Sequence, residues 1–372
     1  MKTNNGKSPI ILSTLAFFVL TLPLVFAVSA KEDSSSAGAV FIMTNSAAGN
    51  SVLSYGRGAD GSLSFSGSFP TSGLGTGSGL GDQGGLALSQ GGRWLLAVNA
   101  GSNDIAVFRV SDESTALTLA DKFGSSGKTP ISVTVHERLV YVLNAGDTAT
   151  PANIAGFRLS EDGSLSPIPG SVEPLSGVTS PAQISFNPQG TVLIVTEKTT
   201  NFIDSYVVDE DGAAAGPVTN VSHGTEPFGF AFDNRGNLIV SEAVSGALSS
   251  YAVSENGVLR TVSGSVADGQ KAACWVAVTK NGHIAYTTNA ASGTISSYAV
   301  GRGGALALLQ SVAATTHAGP NDMALNRNSH FLYVFDAGAH EIQGFGVGDG
   351  GGLTWLSTVS GIPAGAAGLA AN

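Results

Sequence analysis

Three acidic residues sit at equivalent places in this chain, each closing an apolar run: Glu197 in "TVLIVTE", Glu242 in "NLIVSE" and Asp336 in "FLYVFD". Carboxylates held side by side repel, so one of them is driven to keep its proton or to recruit a cation. Such a group suits general acid–base chemistry, and Glu197 and Glu242 are the candidate catalytic pair. Around them, Ser180, Gln183, Trp275, Asn321 and Asp322 stand near the starts of other apolar runs and are the candidate substrate-binding residues, with Asp336. The plainer alternative is that acids and amides at run ends cap turns by accepting backbone N–H bonds.

Other chemistry is sparse. Gly79, Gly81 and Gly84 in "GLGTGSGLGDQGG" meet the G-x-G-x-x-G spacing of a dinucleotide turn. That motif needs a helix directly after it, whose N-terminal N–H groups hold the pyrophosphate. The next residues, "LALSQGGRWLLAVNA", are instead two apolar runs around a Gly-Gly turn, so the phosphate reading fails. "GSSGKTP" fails as a P-loop, because two residues rather than four separate Gly124 from the Gly127-Lys128 pair. No G-x-S-x-G occurs, and the six histidines show neither H-x-H nor H-E-x-x-H spacing. No metal site is assigned. Calcium is the one ion that the hard oxygens of Glu197, Glu242 and the neighbouring asparagines would suit.

Those residues need a scaffold, and an internal repeat supplies it. "IMTN", "AVNA", "VLNA", "VTEK", "VSEA", "TTNA" and "VFDA" place a polar anchor at Asn45, Asn99, Asn144, Glu197, Glu242, Asn289 and Asp336, at intervals of 45–54 residues. Nine residues after five of the anchors comes an aromatic: Phe108, Tyr206, Tyr251, Tyr298 and Phe345. Tyr55 and Phe157 come at ten and thirteen. Each unit parses into four short β runs. Asp-Gly, Asn-Gly and Gly-Gly pairs mark the tight hairpins between the third and fourth. Four strands at this period predict the blades of an all-β, seven-bladed propeller. The first unit lacks its first strand, whereas "AAGLAAN" at 366–372 repeats the first-strand pattern. The C-terminal strand is therefore expected to complete blade one and close the ring. First and second strands lie nearest the axis, so the anchors and the openings of the first strands share one mouth. The glycine run is expected to form a roof there.

Residues 1–30 read as a signal peptide. Lys2 and Lys7 precede an uncharged stretch from Ile10 to Ala30, and "AVSA" offers small residues for cleavage after Ala30. An uncleaved anchor is the alternative, since the stretch is long enough to span a bilayer. Residues 31–37 are a polar linker, and 38–372 a single propeller domain. A secreted or periplasmic monomer is expected. Removing Lys2 and Lys7 leaves 15 basic against 27 acidic residues, a charge of −12, which disfavours nucleic acid and anionic membrane as partners. A small-molecule ligand or a protein partner remains. Cys274 is the sole cysteine, so the core must stabilise the fold without a disulfide.

With its blades in hand, the chain resembles the lactonase family of seven-bladed propellers, which includes 6-phosphogluconolactonases and fungal 3-carboxymuconate cyclases. The phrases "GTGSGLGDQGGLALS", "AVNAGSNDIAVF", "PFGFAFD" and "KAACWVAVT" look like an exported branch of it. The resemblance implies lactone hydrolysis or cyclisation. Catalytic members open blade four with an H-A-H-Q phrase and blade five with an Arg-His pair. Here blade four opens Ser180-Pro181-Ala182-Gln183, keeping only the glutamine, and blade five opens Pro227-Phe228-Gly229. The acids matching Glu197 and Glu242 are retained. Two readings stand: a lactone hydrolase with altered machinery, or a non-catalytic propeller that binds its ligand at the channel mouth.

Overall fold

The computed structural model describes residues 1–6, 37–177 and 180–372. The signal peptide and linker expected over 1–37 lie almost wholly outside the described residues. Among the described residues there is no helix, and seven four-strand antiparallel units succeed one another around a ring. This is a seven-bladed β-propeller.

The second strand of each blade shows why the fold needs so many apolar residues. In Trp94–Asn99, Val192–Glu197 and Ile284–Asn289 every side chain is buried, because both sheet faces are covered by neighbouring blades. Outer strands such as Ala214–Val221 pack on one side only and alternate toward exposure. The repeated aromatics of the third strands are staples between blades. The Tyr206 hydroxyl donates to the Pro174 carbonyl of blade three at 2.8 Å, and that of Tyr298 to Val266 of blade five at 3.0 Å. Each buries a large ring while its polar tip finds a partner.

Blade one closes the ring. Ala367–Ala371 pairs antiparallel with Gly38–Met43, from Val40 opposite Ala371 to Ile42 opposite Leu369, and then slips by one residue so that Met43 faces Ala367. Blade three departs from the simple pattern. Its outer strand is split into Leu165–Pro167 and Glu173–Pro174, with Pro169 and Gly170 between. Proline brings no N–H to a ladder, so "LSPIPGSVEP" cannot run as one strand.

Candidate functional site

The anchors come first, because the candidate catalytic pair belongs to them. Glu197 is fully buried and accepts from the Ser176 N–H at 3.1 Å and from the hydroxyls of Ser176 and Thr200, both at 2.6 Å. Ser176 lies in the connection arriving from blade three. Glu242, equally buried, accepts from the Gly224 N–H at 2.8 Å, from Ser265 Oγ at 2.6 Å and from Ser249 Oγ. Gly224 lies in the connection from blade four. Asn99 and Asn144 do the same work, taking Thr71 Oγ1 at 2.7 Å and giving to the Ser125 carbonyl at 3.0 Å. These four anchors thus clamp the segments that enter their blades. The structure places Glu197 and Glu242 in separate clusters with no shared partner, and their oxygens are occupied. Asp336 is buried beneath the blade-six-to-seven connection, Thr316–His317, and neither of its oxygens has a hydrogen-bond partner of good geometry. Burial raises its carboxyl to about 7, with nearby His317 pulling the other way.

The glycine run does more than roof the channel. Residues 76–80 lie at the mouth, but 81–84 descend into it and plug it. The Gln83 N–H donates to Ala182 O of blade four at 3.0 Å, and its carbonyl accepts from Ser132 Oγ of blade three at 2.7 Å. Its side-chain amide reaches blade six, where Nε2 donates to Val276 O at 2.9 Å and Oε1 accepts from Val276 N at 3.0 Å. A carbon added at Gly229 would collide with that Oε1 and with the Cys274 carbonyl. Blade five therefore yields space with a glycine. Gln183 makes the same two-point bond to the backbone of Phe230, at 2.6 and 3.0 Å, and ties blade four to blade five.

Trp275, expected to pack against a substrate, is occupied by the plug. Its indole Nε1 donates to Asp82 O at 2.8 Å, and its ring lies 5.1 Å from that of Phe228. Asp322 is buried and accepts from the Gly368 N–H of the ring-closing strand at 2.6 Å. Burial raises its carboxyl, and burial together with Asp322 raises that of Asp82, whose Oδ2 has no partner. This buried acid pair favours sharing a proton over carrying two charges. Asn321 is half-buried on the same strand as Asp322. Cys274 is buried and its thiol pushed up to about 12 by that burial, which leaves it inert.

Among the expected residues Ser180 alone is exposed, with Asn321 half-buried. Ser180 lines a cavity of about 260 Å3 at the mouth, with Thr76, Ser78, Leu80, Thr129 and Lys198. Lys198 is the residue that sequence reasoning missed. Its ammonium donates to Gly81 O at 2.6 Å and stands 4.9 Å over the Phe228 ring. Burial lowers its pKa, while Asp82 and Glu226 oppose the shift. One cation among hydroxyls can receive a carboxylate or a polarised carbonyl oxygen. Among the described residues no group of three or more His, Cys, Asp or Glu is arranged to hold a metal.

The sequence matches the profile described as lactonase, 7-bladed beta-propeller, over residues 49–154, 147–274 and 261–367. The chain belongs to the lactonase family. A search of the curated proteins finds no match. Among solved structures, this lactonase-family propeller is similar to a Bacteroides fragilis protein described as a candidate 6-phosphogluconolactonase, with TM-score 0.70 and 17% identity over 92% of this chain and 99% of that one. The periplasmic gluconolactonase of Pseudomonas aeruginosa gives 0.69 and 18%, over 88% and 98%. Virginiamycin B lyase from Staphylococcus aureus gives 0.51 and 13%, over 74% and 84%. At these identities the likeness concerns the fold.

Proposed function

We propose that this lactonase-family propeller is an exported binding protein that takes a small, hydroxyl-rich acid or its lactone at the channel mouth. One observation carries the reading. The mouth cavity is lined by Lys198 and hydroxyls, and no carboxylate or imidazole is among its lining residues. It can hold an oxyanion or a lactone carbonyl, but it lacks the pre-placed base that hydrolysis uses. Its volume, about 260 Å3, suits a ligand of sugar size. The absent His and Arg of the family's catalytic phrases point the same way, as do the plugged channel and the occupied oxygens of Glu197 and Glu242.

A second reading has its own support. Burial holds Lys198 toward its uncharged form, and an amine so placed can act as a base on lactone-attacking water.

Calorimetry with gluconate, 6-phosphogluconate and glucono-lactone, beside a pH-stat assay with and without calcium, separates the two. We expect binding without turnover, weakened at least tenfold in Lys198→Met. Lactone turnover that Lys198→Met abolishes in a folded protein would establish the hydrolase instead. No binding of any probe at millimolar concentration removes the mouth site.

A further inference from the structure

The opposite face of the ring carries a second cavity system. All nine arginines lie toward this face, at or beside the turns that join strands one to two and three to four. Of the lysines in the blades, only Lys280 is at this end. Between blades six and seven a cavity of about 720 Å3 has Ile284, Ala299, Leu309 and Val347 on its apolar side. Its polar side carries Lys280, Asn281, His283, Asn328, Ser329 and His330, with Asp349 as the sole lining carboxylate. An adjoining cavity of about 370 Å3 shares Lys280 and Asn328 and adds Arg57 and Arg327.

The two exposed cations there, Lys280 and Arg327, make no salt bridge among the described residues. Arg57 is buried and partnered, with its N–H groups on the carbonyl oxygens of Ala37 and Gly58 and on the carboxyl oxygen of the last residue, Asn372. Arg327 makes one long bond, to Gln90 O at 3.4 Å. In a chain of net charge −10, two exposed cations without a salt bridge, Lys280 and Arg327, beside one pair of joined cavities are a local reversal of sign. Guanidinium and ammonium groups bordering an apolar wall match a multivalent oxyanion borne on a compact apolar body.

We infer that this groove between blades six, seven and one is a second ligand site, taking a phosphate or sulfate monoester through Lys280 and Arg327. The ester's apolar body rests on Ile284, Ala299 and Val347. The imidazoles and amides at the rim offer further donors. The site stands at the other end of the strands from Lys198 and does not depend on the mouth reading.

The test titrates phenyl phosphate, phenyl sulfate and inorganic phosphate into the purified protein at fixed ionic strength, by calorimetry and by NMR of the histidine ring protons. At least one ester is expected to bind below 1 mM and to shift His283 and His330. Inorganic phosphate should bind at least tenfold more weakly, because it leaves the apolar wall empty. Lys280→Met with Arg327→Met, two exposed positions, should weaken the ester at least tenfold with an unchanged melting temperature. If that double variant melts early, Lys280→Met alone is read in its place. Lys198→Met should change nothing. Either ester binding alone names the anion. Absence of binding at 10 mM, undiminished affinity in the variants, or loss of binding in Lys198→Met each overturns the proposal.

Discussion

At Gly229 a hydrogen in place of a side chain decides whether the plug can seat. Any Cβ there would enter the space of Gln83 Oε1 and of the Cys274 carbonyl, and neither can retreat without breaking a bond. Overpacking of this kind costs about 1–3 kcal/mol. Gly229→Ala should therefore lower urea stability by about that amount, and Gly229→Ala with Gln83→Ala should recover part of it. Additive losses in the pair would show that the contact is not what matters. Glu242 makes the complementary case. Glu242→Gln cannot accept all three of its bonds, from Gly224, Ser249 and Ser265, so we expect a loss of about 1–3 kcal/mol with mouth binding unchanged. Lost binding with stability retained would return Glu242 to the site. The sequence showed that these carboxylates are special, since they recur at one place in the repeat. It could not show which way they face, because the capping partner of each lies in a connection of irregular length. Lys198 escaped notice because it comes just after an anchor and breaks no pattern. Asp82 escaped because it sits in a glycine run with no period.

Blades were the legible elements. Hairpin glycines, buried second strands and third-strand aromatics are local signals, and each repeats until chance is excluded. The missing first strand of blade one and the spare strand at the C-terminus were enough to indicate ring closure. The plug was not legible in this way. Gln83 meets Val276 across 193 residues, and only the closed ring brings that backbone to it. Blade three's divided outer strand was legible in principle from Pro167 and Pro169, whose effect is local. The closing strand carries its own prediction. Removing residues 364–372 leaves Gly38–Met43, an entirely buried apolar strand, with an open edge and no neighbour toward the axis. It also removes the Gly368 N–H that Asp322 accepts. The truncated protein should aggregate, or melt more than about 10 °C below the intact chain, given that single kcal/mol losses already move melting by a few degrees. Size-exclusion chromatography and calorimetry check this, and an intact melting temperature would break the ring-closure account.

Across the whole molecule, buried acids set how stability responds to pH. Asp82, Asp322, Asp204, Asp268 and Asp336 all have carboxyl pKa values raised chiefly by burial, Asp336 to about 7. An acid whose folded pKa exceeds its unfolded value of 3.8 binds its proton more tightly when folded. Its contribution to stability is complete below that unfolded value and is lost as pH rises through the folded one. Each unit of displacement is worth about 1.4 kcal/mol, so Asp336 alone can contribute several kcal/mol at acidic pH that are gone above neutrality. Exposed Asp60, Asp147 and Asp162 act oppositely, since hydrogen bonds from neighbouring Ser and Thr lower their pKa values. Their stabilisation is lost as pH falls below about 4. The two sets bracket an optimum between about pH 4 and 5, below the neutral range where most globular proteins are steadiest. Calorimetric scans should give a melting temperature at pH 4.5 at least about 5 °C above that at pH 7.5. Asp336→Asn keeps the shape and removes the titration, so it should flatten the slope between pH 5 and 8 while raising stability at pH 7.5. A melting temperature that climbs toward pH 7.5, or an Asp336→Asn slope as steep as the parent's, would mean that a cation or rearranged partners neutralise these acids. In that case calcium should raise the melting temperature at pH 7.5, and a chelator should lower it.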